Sequence, residues 1–596
     1  MRNYLRQLLS LLSRGEKRGL AVLVAINALA ALIEVVGVFS ILPFLAVAGD
    51  PTVVERQPIL QGIYGLAGFD SQNEFILAAG VFTIAAIVAT NAFGMLSLWY
   101  RTRYCYRVLA AMSGRLFRAY LAQPYVFFLR RNSAVLGKDL LNEVWGFFSN
   151  ALEPVTCVVA RGLSLVFVVA ALFIYDWRAA CVVFVVLGGF YGAVHTLFQH
   201  RLSALGRMRW DANERRYRLV AEALGGLKEV RLFGRESWYA GEFSRESETV
   251  ARASGRSFLY GISPRYLLES LAFTLLVGVV LAVLMRGRPL AEILPLLGLY
   301  AVAGVRLMPA LQIVYQYLTT IRSNTVAVYG LARLFEETGA NNDIVELPVD
   351  CSAALRLSNE LVVDEISFTY PGTDNRVLNG VSLRIPARSC VGITGPSGSG
   401  KTTLMDLLLG LLKPDAGTLS VDGQPLDAFS RRAWHRNIGF VPQQIYLVDG
   451  TVAENIAFGI PPERVDTAAI ERAARMASLH EFIAGLPNSY ATGVGERGIR
   501  LSGGQRQRLA IARALYHEPD VLFFDEATSA LDAETENAIV ESIQSLAHRK
   551  TIVIIAHRLS TLRYCDRVFV LDGGRVSRET TFEGLQESTG SVEKVG

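Results

Sequence analysis

The chain has 596 residues, 51% of them hydrophobic and only 19% charged, with a mean hydropathy of +0.32. It is too long for one ordinary domain and too apolar for a soluble multidomain enzyme, so the composition points to a bilayer. Six scattered cysteines and a net charge of +5 exclude a disulfide framework and give no case for nucleic acid, while the apolar content excludes disorder.

In chain order, six runs are long and apolar enough to span a membrane as helices: 20–47, 75–100, 148–175, 179–198, 266–284 and 293–318. Helices are required because lipid offers no hydrogen-bond partner to an open backbone. The first run is too long for a secretory segment and carries Glu34 near its middle. Arg2, Arg6, Arg14, Lys17 and Arg18 precede it, which puts the N-terminus in the cytoplasm by the positive-inside rule. The connections 101–138 and 201–256 are long and Arg-rich, whereas 50–74 is poor in Lys and Arg and 176–178 is a bare turn. Arg286 and Arg288 are the exception. Such long connections imply that spans two to five continue beyond the bilayer as helices. In the external loop Ile59, Leu60, Ile63, Tyr64 and Ala67 recur at helical spacing after Pro58. This reads either as a short amphipathic helix on the outer surface or as an ordered loop.

Past Arg333 the character changes. Gly339-Ala340-Asn341-Asn342-Asp343 is a polar linker, after which short β-type runs alternate with helices. The boundary is expected near 335, with a membrane domain over 1–335 and a soluble α/β domain over 336–596.

Within the second half, Gly395-Pro396-Ser397-Gly398-Ser399-Gly400-Lys401-Thr402 follows an apolar run and precedes a helical run beginning at Thr403. This is a phosphate-binding loop in its strand–loop–helix setting. The glycines let backbone N–H groups surround phosphates, Lys401 reaches the outer ones, and Thr402 offers its hydroxyl to Mg²⁺. Val521-Leu522-Phe523-Phe524-Asp525-Glu526 is an apolar strand ending in two acids. Two like charges ending a buried strand are costly, which favours Asp525 on the metal shell and Glu526 on a water.

Between them, Leu501-Ser502-Gly503-Gly504-Gln505 resembles the signature sequence of ATP-binding cassette (ABC) proteins, and nearly the whole chain is similar to an exporter half-transporter of that superfamily. The fold implied is an α-helical membrane domain of six transmembrane helices plus an α/β P-loop ATPase domain of the ABC type. The resemblance implies ATP and Mg²⁺ as cofactors, with Gly395, Ser397, Gly398, Gly400, Lys401, Thr402 and Thr403 on the nucleotide. Tyr370 resembles the adenine-stacking aromatic, with a core aromatic as its bland alternative. Gln443 resembles the Q-loop residue near metal and water, joining Thr402 and Asp525 on the metal. Gly495-Glu496-Arg497-Gly498 resembles the loop that senses the membrane domain, Ser529-Ala530-Leu531-Asp532 the D-loop, and His557 the switch histidine, catalytic with Glu526. Ser502, Gly503, Gly504 and Gln505 are implied to close the ATP site of an opposite subunit. A second copy of the chain is the simplest partner, a heterodimer the alternative.

The cargo must be read from ionisable residues in the spans, which are costly in lipid. Glu34, Glu153, Arg161, Arg265, Glu269 and Arg306 qualify. The stretches Ile33-Glu34, Leu42-Pro43-Phe44, Pro264-Arg265-Tyr266-Leu267-Leu268-Glu269 and Val305-Arg306-Leu307-Met308-Pro309 are similar to the membrane half of bacterial lipid-linked oligosaccharide flippases. That likeness implies an anionic glycolipid moved outward across the inner membrane, with Arg265 and Arg306 on its phosphates. An exporter of drugs, peptides or another lipid is the runner-up; of the non-transporting cassette ATPases, a DNA-repair role is disfavoured by the six spans and a channel regulator by the lack of an expected extra regulatory domain. Both arginines also have ion-pair readings, Arg265 with Glu269 and Arg306 with Glu34. In the second long connection, Phe233 among charges reads as a docking anchor or as part of a solvated face.

Overall fold

The computed structural model describes residues 2–49, 61, 62, 64, 69, 71–131, 133–285, 294–341, 353–427, 429–526, 541, 543–556 and 558–592. It divides into two compact units, Met1–Gln123 with Arg131–Leu347, and Pro124–Arg130 with Pro348–Gly596. The expected outer helix at Ile59, Leu60, Ile63 and Ala67 lies outside the described residues. So do Arg286, Arg288, Asn342, Asp343, the 529–532 segment and His557.

Among the described residues, regular structure in the first unit is all helical. Four helices are long and apolar enough to cross a membrane: Arg14–Ala48, Asn73–Leu121, Leu136–Tyr175 and Leu297–Arg322. The expected spans at 179–198 and 266–284 fall inside two further long helices, Trp177–Gly225 and Glu236–Met285. The 50-residue helices Gln72–Leu121 and Glu236–Met285 are about 75 Å long at ~1.5 Å per residue, over twice the ~30 Å of bilayer hydrocarbon. They therefore continue well past any span. On Gln72–Leu121 the exposed residues Leu77, Val81, Ile84 and Val88 repeat at three- and four-residue steps, an outward apolar stripe suited to lipid.

Apolar side chains gain little by meeting each other in lipid, so small residues and interhelical hydrogen bonds hold such helices together. Ser97 Oγ donates to Asn27 Oδ1 at 2.7 Å, and Thr83 Oγ1 to the Ser40 carbonyl at 2.9 Å. Gly37 has no Cβ where the Thr90 hydroxyl lies against it, and Thr90 Oγ1 donates to the Ile33 carbonyl at 3.3 Å. A side chain at residue 37 would push these helices apart. Near the N-terminus, Ser13 and Glu16 form a capping box, and Glu16 also pairs with buried Arg115 at 3.1 Å.

The second unit is built on ten strands among the described residues: β1 Glu360–Thr369, β2 Arg376–Pro386, β3 Cys390–Thr394, β4 Ala416–Val421, β5 Gln424–Pro425, β6 Ile438–Val441, β7 Val521–Asp525, β8 Thr551–Ile555, β9 Arg567–Asp572 and β10 Arg575–Thr580. One sheet has the order β10-β9-β3-β8-β7-β6 and the other β2-β1-β4-β5. The larger is parallel apart from the β9–β10 hairpin. Its central strands are apolar at successive positions because both faces are covered. Val391, Ile393, Val521, Phe523 and Val553 enter one core with Leu404 and Trp434. Their neighbours Leu522, Phe524, Ile552 and Ile554 enter another with Leu509 and Ile511. The short helix Tyr125–Leu129 belongs to this unit, where Val126 packs on the first of these cores.

Candidate active site

Strand register assembles the site. Ile555 on β8 pairs with Ile393 on β3 and with Asp525 on β7, so the carboxyl ends of the three strands are level. The loop after β3 and the acids at the end of β7 open on one edge, where ligands bind in open α/β sheets.

The loop is shaped by glycines at its two ends. Gly395 has φ 149°, and a Cβ there would collide with the Leu571 carbonyl. Gly400 has φ 100°, and a Cβ would lie 2.7 Å from Leu378 Cδ2 and 3.0 Å from the Val377 carbonyl. Ser397 and Gly398 are exposed on the turn between them. The helix Lys401–Leu408 starts at once, directing its free N–H groups and positive dipole end into the loop. Lys401 Nζ folds back to donate to the Gly395 and Pro396 carbonyls, each at 2.9 Å. Burial pulls the Lys401 ammonium below its ordinary pKa, opposed by the Glu526 and Asp525 carboxylates. Ser399 Oγ is buried without a hydrogen-bond partner, an arrangement that costs free energy unless a ligand satisfies it. A cradle of N–H groups, a cation and an orphaned hydroxyl suits a polyphosphate, and Thr402 with Asp525 is an oxygen donor set suited to Mg²⁺.

Asp525 ends β7, 8% exposed. Glu526 follows with φ 48°, an uncommon conformation for a residue with a side chain. Its N–H is tied to the Ile555 carbonyl at 3.0 Å. Gln443 Nε2 donates to Glu526 Oε2 at 2.5 Å, so the structure joins these two expected site residues directly. Tyr370 is half-buried: its ring meets Phe368 edge-on at 5.0 Å and its hydroxyl is 3.1 Å from Thr403 Oγ1. It thus reaches the phosphate-loop helix while also packing on the core.

Ser502 caps the helix Gly503–Leu515, accepting from the Gln505 N–H at 3.3 Å while its own N–H donates to Gln505 Oε1 at 2.9 Å. The serine hydroxyl uses a lone pair in the cap, which leaves its proton free to donate outward. Ser502 and Gly503 are exposed and Gly504 is buried. In the 495–498 loop, Gly498 accepts from Arg506 Nη1 at 3.4 Å and Leu501 from the same nitrogen at 3.0 Å.

Sequence reasoning missed Arg513 and Asp406. Arg513 binds the Asn455 carbonyl, the Tyr446 carbonyl and Asn455 Oδ1 at 2.7, 2.7 and 2.9 Å. It thereby fastens the helix of Ser502 to the segment that follows Gln443. A cation interrupting the apolar Leu509–Leu515 side of that helix was the available signal. Asp406 lies on the phosphate-loop helix, and burial followed by Asp525 pushes its carboxyl up to about 6.

In the first unit, Arg265 Nε pairs with Glu269 Oε1 at 2.7 Å, as expected of one reading. Arg306 Nη2 instead donates to Asn91 Oδ1 at 2.9 Å. The expected partner Glu34 is replaced by a neutral amide. Phe233 ends the helix Leu227–Leu232 and is 72% exposed.

A family model described as ABC transporter matches residues 378–529, and one described as ABC transporter transmembrane region matches 20–286. The chain belongs to the ABC transporter family. The ATP-dependent lipid A-core flippase of Cupriavidus metallidurans is 33% identical over 473 residues, 79% of this chain and 78% of that protein. Its namesake in Burkholderia thailandensis is 30% identical over 553 residues, 91% and 89% of the two chains. Among solved structures, a bacterial Atm1-family ABC exporter with ATP bound matches at a TM-score of 0.71 and 24% identity, covering 97% of this chain and 96% of that one. The shared fold is a helical transmembrane domain fused to an ABC ATPase. This ABC transporter is accordingly a multi-pass membrane protein and an ATP-binding ATPase coupled to transport.

Proposed function

We propose that the chain is an ATP-driven flippase that moves an anionic glycolipid, of the lipid A-core or lipid-linked oligosaccharide kind, outward across the bacterial inner membrane. The observation that carries this reading is one chain in which a phosphate cradle, level with Asp525 and Glu526, is fused to long apolar helices holding an arginine whose partner is neutral. Relatives named lipid A-core flippases across most of the chain support the cargo class.

In this reading six helices span the bilayer within residues 1–335, the ATPase occupies 336–596, and both it and the N-terminus are cytoplasmic. Two copies sandwich two ATP molecules, each bound by the 395–403 loop of one copy and by Ser502, Gly503, Gly504 and Gln505 of the other. Tyr370 supports the adenine. Thr402, Gln443 and Asp525 hold Mg²⁺, which when bound neutralises phosphate oxygens. Glu526 accepts the proton of the attacking water, oriented by Gln443, and His557 steadies the departing phosphate. Hydrolysis resets the dimer, and Arg306 engages a cargo phosphate in the membrane. Arg265 is the weaker cargo candidate because Glu269 already neutralises it.

The test reconstitutes the purified protein in liposomes and follows ATP-dependent flipping of lipid A-core and of a pyrophosphate-linked oligosaccharide lipid, with Glu526→Gln as control. Flipping of at least one, lost in Glu526→Gln and reduced in Arg306→Ala with folding intact, is expected. Export of neither, alongside export of a cationic drug, would refute the cargo class.

A further inference from the structure

The first unit contains a cavity of about 250 Å³ that no expectation from the sequence touched. Four helices meet at it. Asn150 comes from the segment before Glu153, Arg209 from Trp177–Gly225, Ser254 and Ser257 from Glu236–Met285, and Gln316 and Asn324 from the end of the Leu294–Ser323 helix and just beyond. Asn150 and Gln316 stand just inside the ends of the expected runs 148–175 and 293–318, and Arg209 and Ser257 stand eleven and nine residues past the ends of 179–198 and 266–284, so the cavity lies where the apolar runs give way to the long helical extensions. Neither Arg265 nor Arg306 lines it.

Its chemistry is one-sided. Among the described residues no carboxylate lines it and Arg209 has no acidic partner. Its single hydrogen bond among the described residues, to Asn324 Oδ1, is long at 3.5 Å. A guanidinium carries five donors in a fixed fork and stays charged at any relevant pH. Most of that capacity is unused. Around it stand amides and hydroxyls of the kind that bind sugar oxygens, and among the described residues the side chains of Ser254, Ser257 and Gln316 make no hydrogen bonds of their own. The volume is below the roughly 300–1,000 Å³ of pockets that enclose a whole small ligand, so it suits part of a larger molecule. Gly261, one turn beyond Ser257 on the same helix, also lines the cavity, and a Cβ there would meet no atom within 4 Å.

We infer that this cavity is a head-group site in which Arg209 binds a phosphate and the surrounding amides and hydroxyls bind the attached sugar of a glycolipid drawn from the adjoining leaflet. This rests on the flippase reading and gives it an entry site distinct from the arginines in the spans. A lipid source is favoured over a soluble sugar phosphate by the cavity's place at the end of the apolar runs.

The experiment measures lipid binding to the purified full-length protein by native mass spectrometry, without ATP. The probes are lipid A-core, its dephosphorylated form and glucose 1-phosphate, and the variants are Arg209→Gln and Gly261→Met. Charge-assisted hydrogen bonds of this kind are worth about tenfold or more in affinity. The wild type should therefore prefer the phosphorylated lipid by about that factor, and Arg209→Gln should lose the preference. Gly261→Met should weaken both lipids by filling the cavity, with the melting temperature kept. If Arg209→Gln fails to fold, Gly261→Met alone decides. Wild-type affinity in the folded variants overturns the site while leaving the flippase reading intact. Binding that depends on Arg209, in a protein that flips no lipid, keeps the site and removes the flippase reading. No binding by the wild type removes both, and displacement of the lipid by equimolar glucose 1-phosphate overturns the lipid source.

Discussion

Replacing Glu526 by Gln isolates charge from shape. Gln443 Nε2 donates to Glu526 Oε2 at 2.5 Å, and the Glu526 N–H is held by Ile555. A glutamine keeps an acceptor oxygen for Gln443 and the same length of side chain, so the left-handed turn at φ 48° is asked of a residue of equal bulk. No atom that faces the phosphate loop is removed. What disappears is a base, whose contribution is about 10²–10⁴ in rate. At about 1.4 kcal/mol per tenfold, that raises the barrier by roughly 3–5 kcal/mol. The assay pairs steady-state phosphate release in nanodiscs with equilibrium binding of a fluorescent ATP analogue. Turnover should fall by at least about 10², with ATP affinity within about threefold of wild type and a closed dimer accumulating on addition of ATP. Hydrolysis within about tenfold of wild type would refute the assignment of the base.

Other changes separate roles that the geometry leaves entangled. Tyr370→Ala should raise the ATP KM by about 2- to 10-fold from lost stacking, while Tyr370→Phe should keep KM and lose only the Thr403 contact; equal effects would reduce Tyr370 to packing. Arg513→Met removes three hydrogen bonds and orphans the Tyr446 and Asn455 carbonyls, so unfolding of the ATPase unit should become easier by about 3 kcal/mol with faster amide exchange over 446–458; a change below about 1 kcal/mol would contradict this. Phe233→Ala should leave basal ATPase unchanged and abolish its stimulation by transported lipid, and intact stimulation would remove the docking role. For Asp422, burial alone would raise the carboxyl, but N–H groups of Ser358, Asn359 and Glu360 outweigh it and hold it below the usual range. A depressed carboxyl stabilises the fold above its unfolded pKa of about 3.9, and that stability is lost as pH falls through the lower folded value. The melting-temperature gap between wild type and Asp422→Asn should thus be full at neutral pH and close on acidification below about pH 4; a gap independent of pH would contradict the linkage.

The ATPase unit was legible because its chemistry is local. A phosphate loop needs glycine where φ is positive and a cation one residue into a helix, and these demands fall on neighbouring positions, 395 to 401. Strand β7 announces itself likewise, since an unbroken apolar run fits only a strand covered on both faces. What the residues did not announce was the level of the strands. That Ile555 faces both Ile393 and Asp525 is a property of register, and it brings Gln443 to Glu526 across 83 positions of sequence. Arg513 escaped for the related reason that two of its three hydrogen bonds end on backbone carbonyls, which leave no mark in side-chain identity.

In the membrane half, charge alone misdirects. A lone arginine in an apolar run invites the search for an acid, and Glu34 was the acid at hand for Arg306. The partner in the structure is Asn91, and the difference bears on function. A carboxylate would neutralise the guanidinium and leave little field for a ligand, whereas an amide satisfies one N–H and leaves the full positive charge. Arg265 has the opposite arrangement, paired with Glu269 one turn along its own helix, as exposed i, i+4 pairs are. Two arginines that look alike in sequence are therefore unequal as anion sites, and Arg209, with one long contact to Asn324 and no acid among the described residues, resembles Arg306. On the reading proposed above, Arg209 and Arg306 both contribute attraction for an anionic head-group, since among the described residues no carboxylate neutralises either. That disposition suits a lipid whose charged end must be drawn from the interface into the membrane domain while its acyl chains stay in the bilayer.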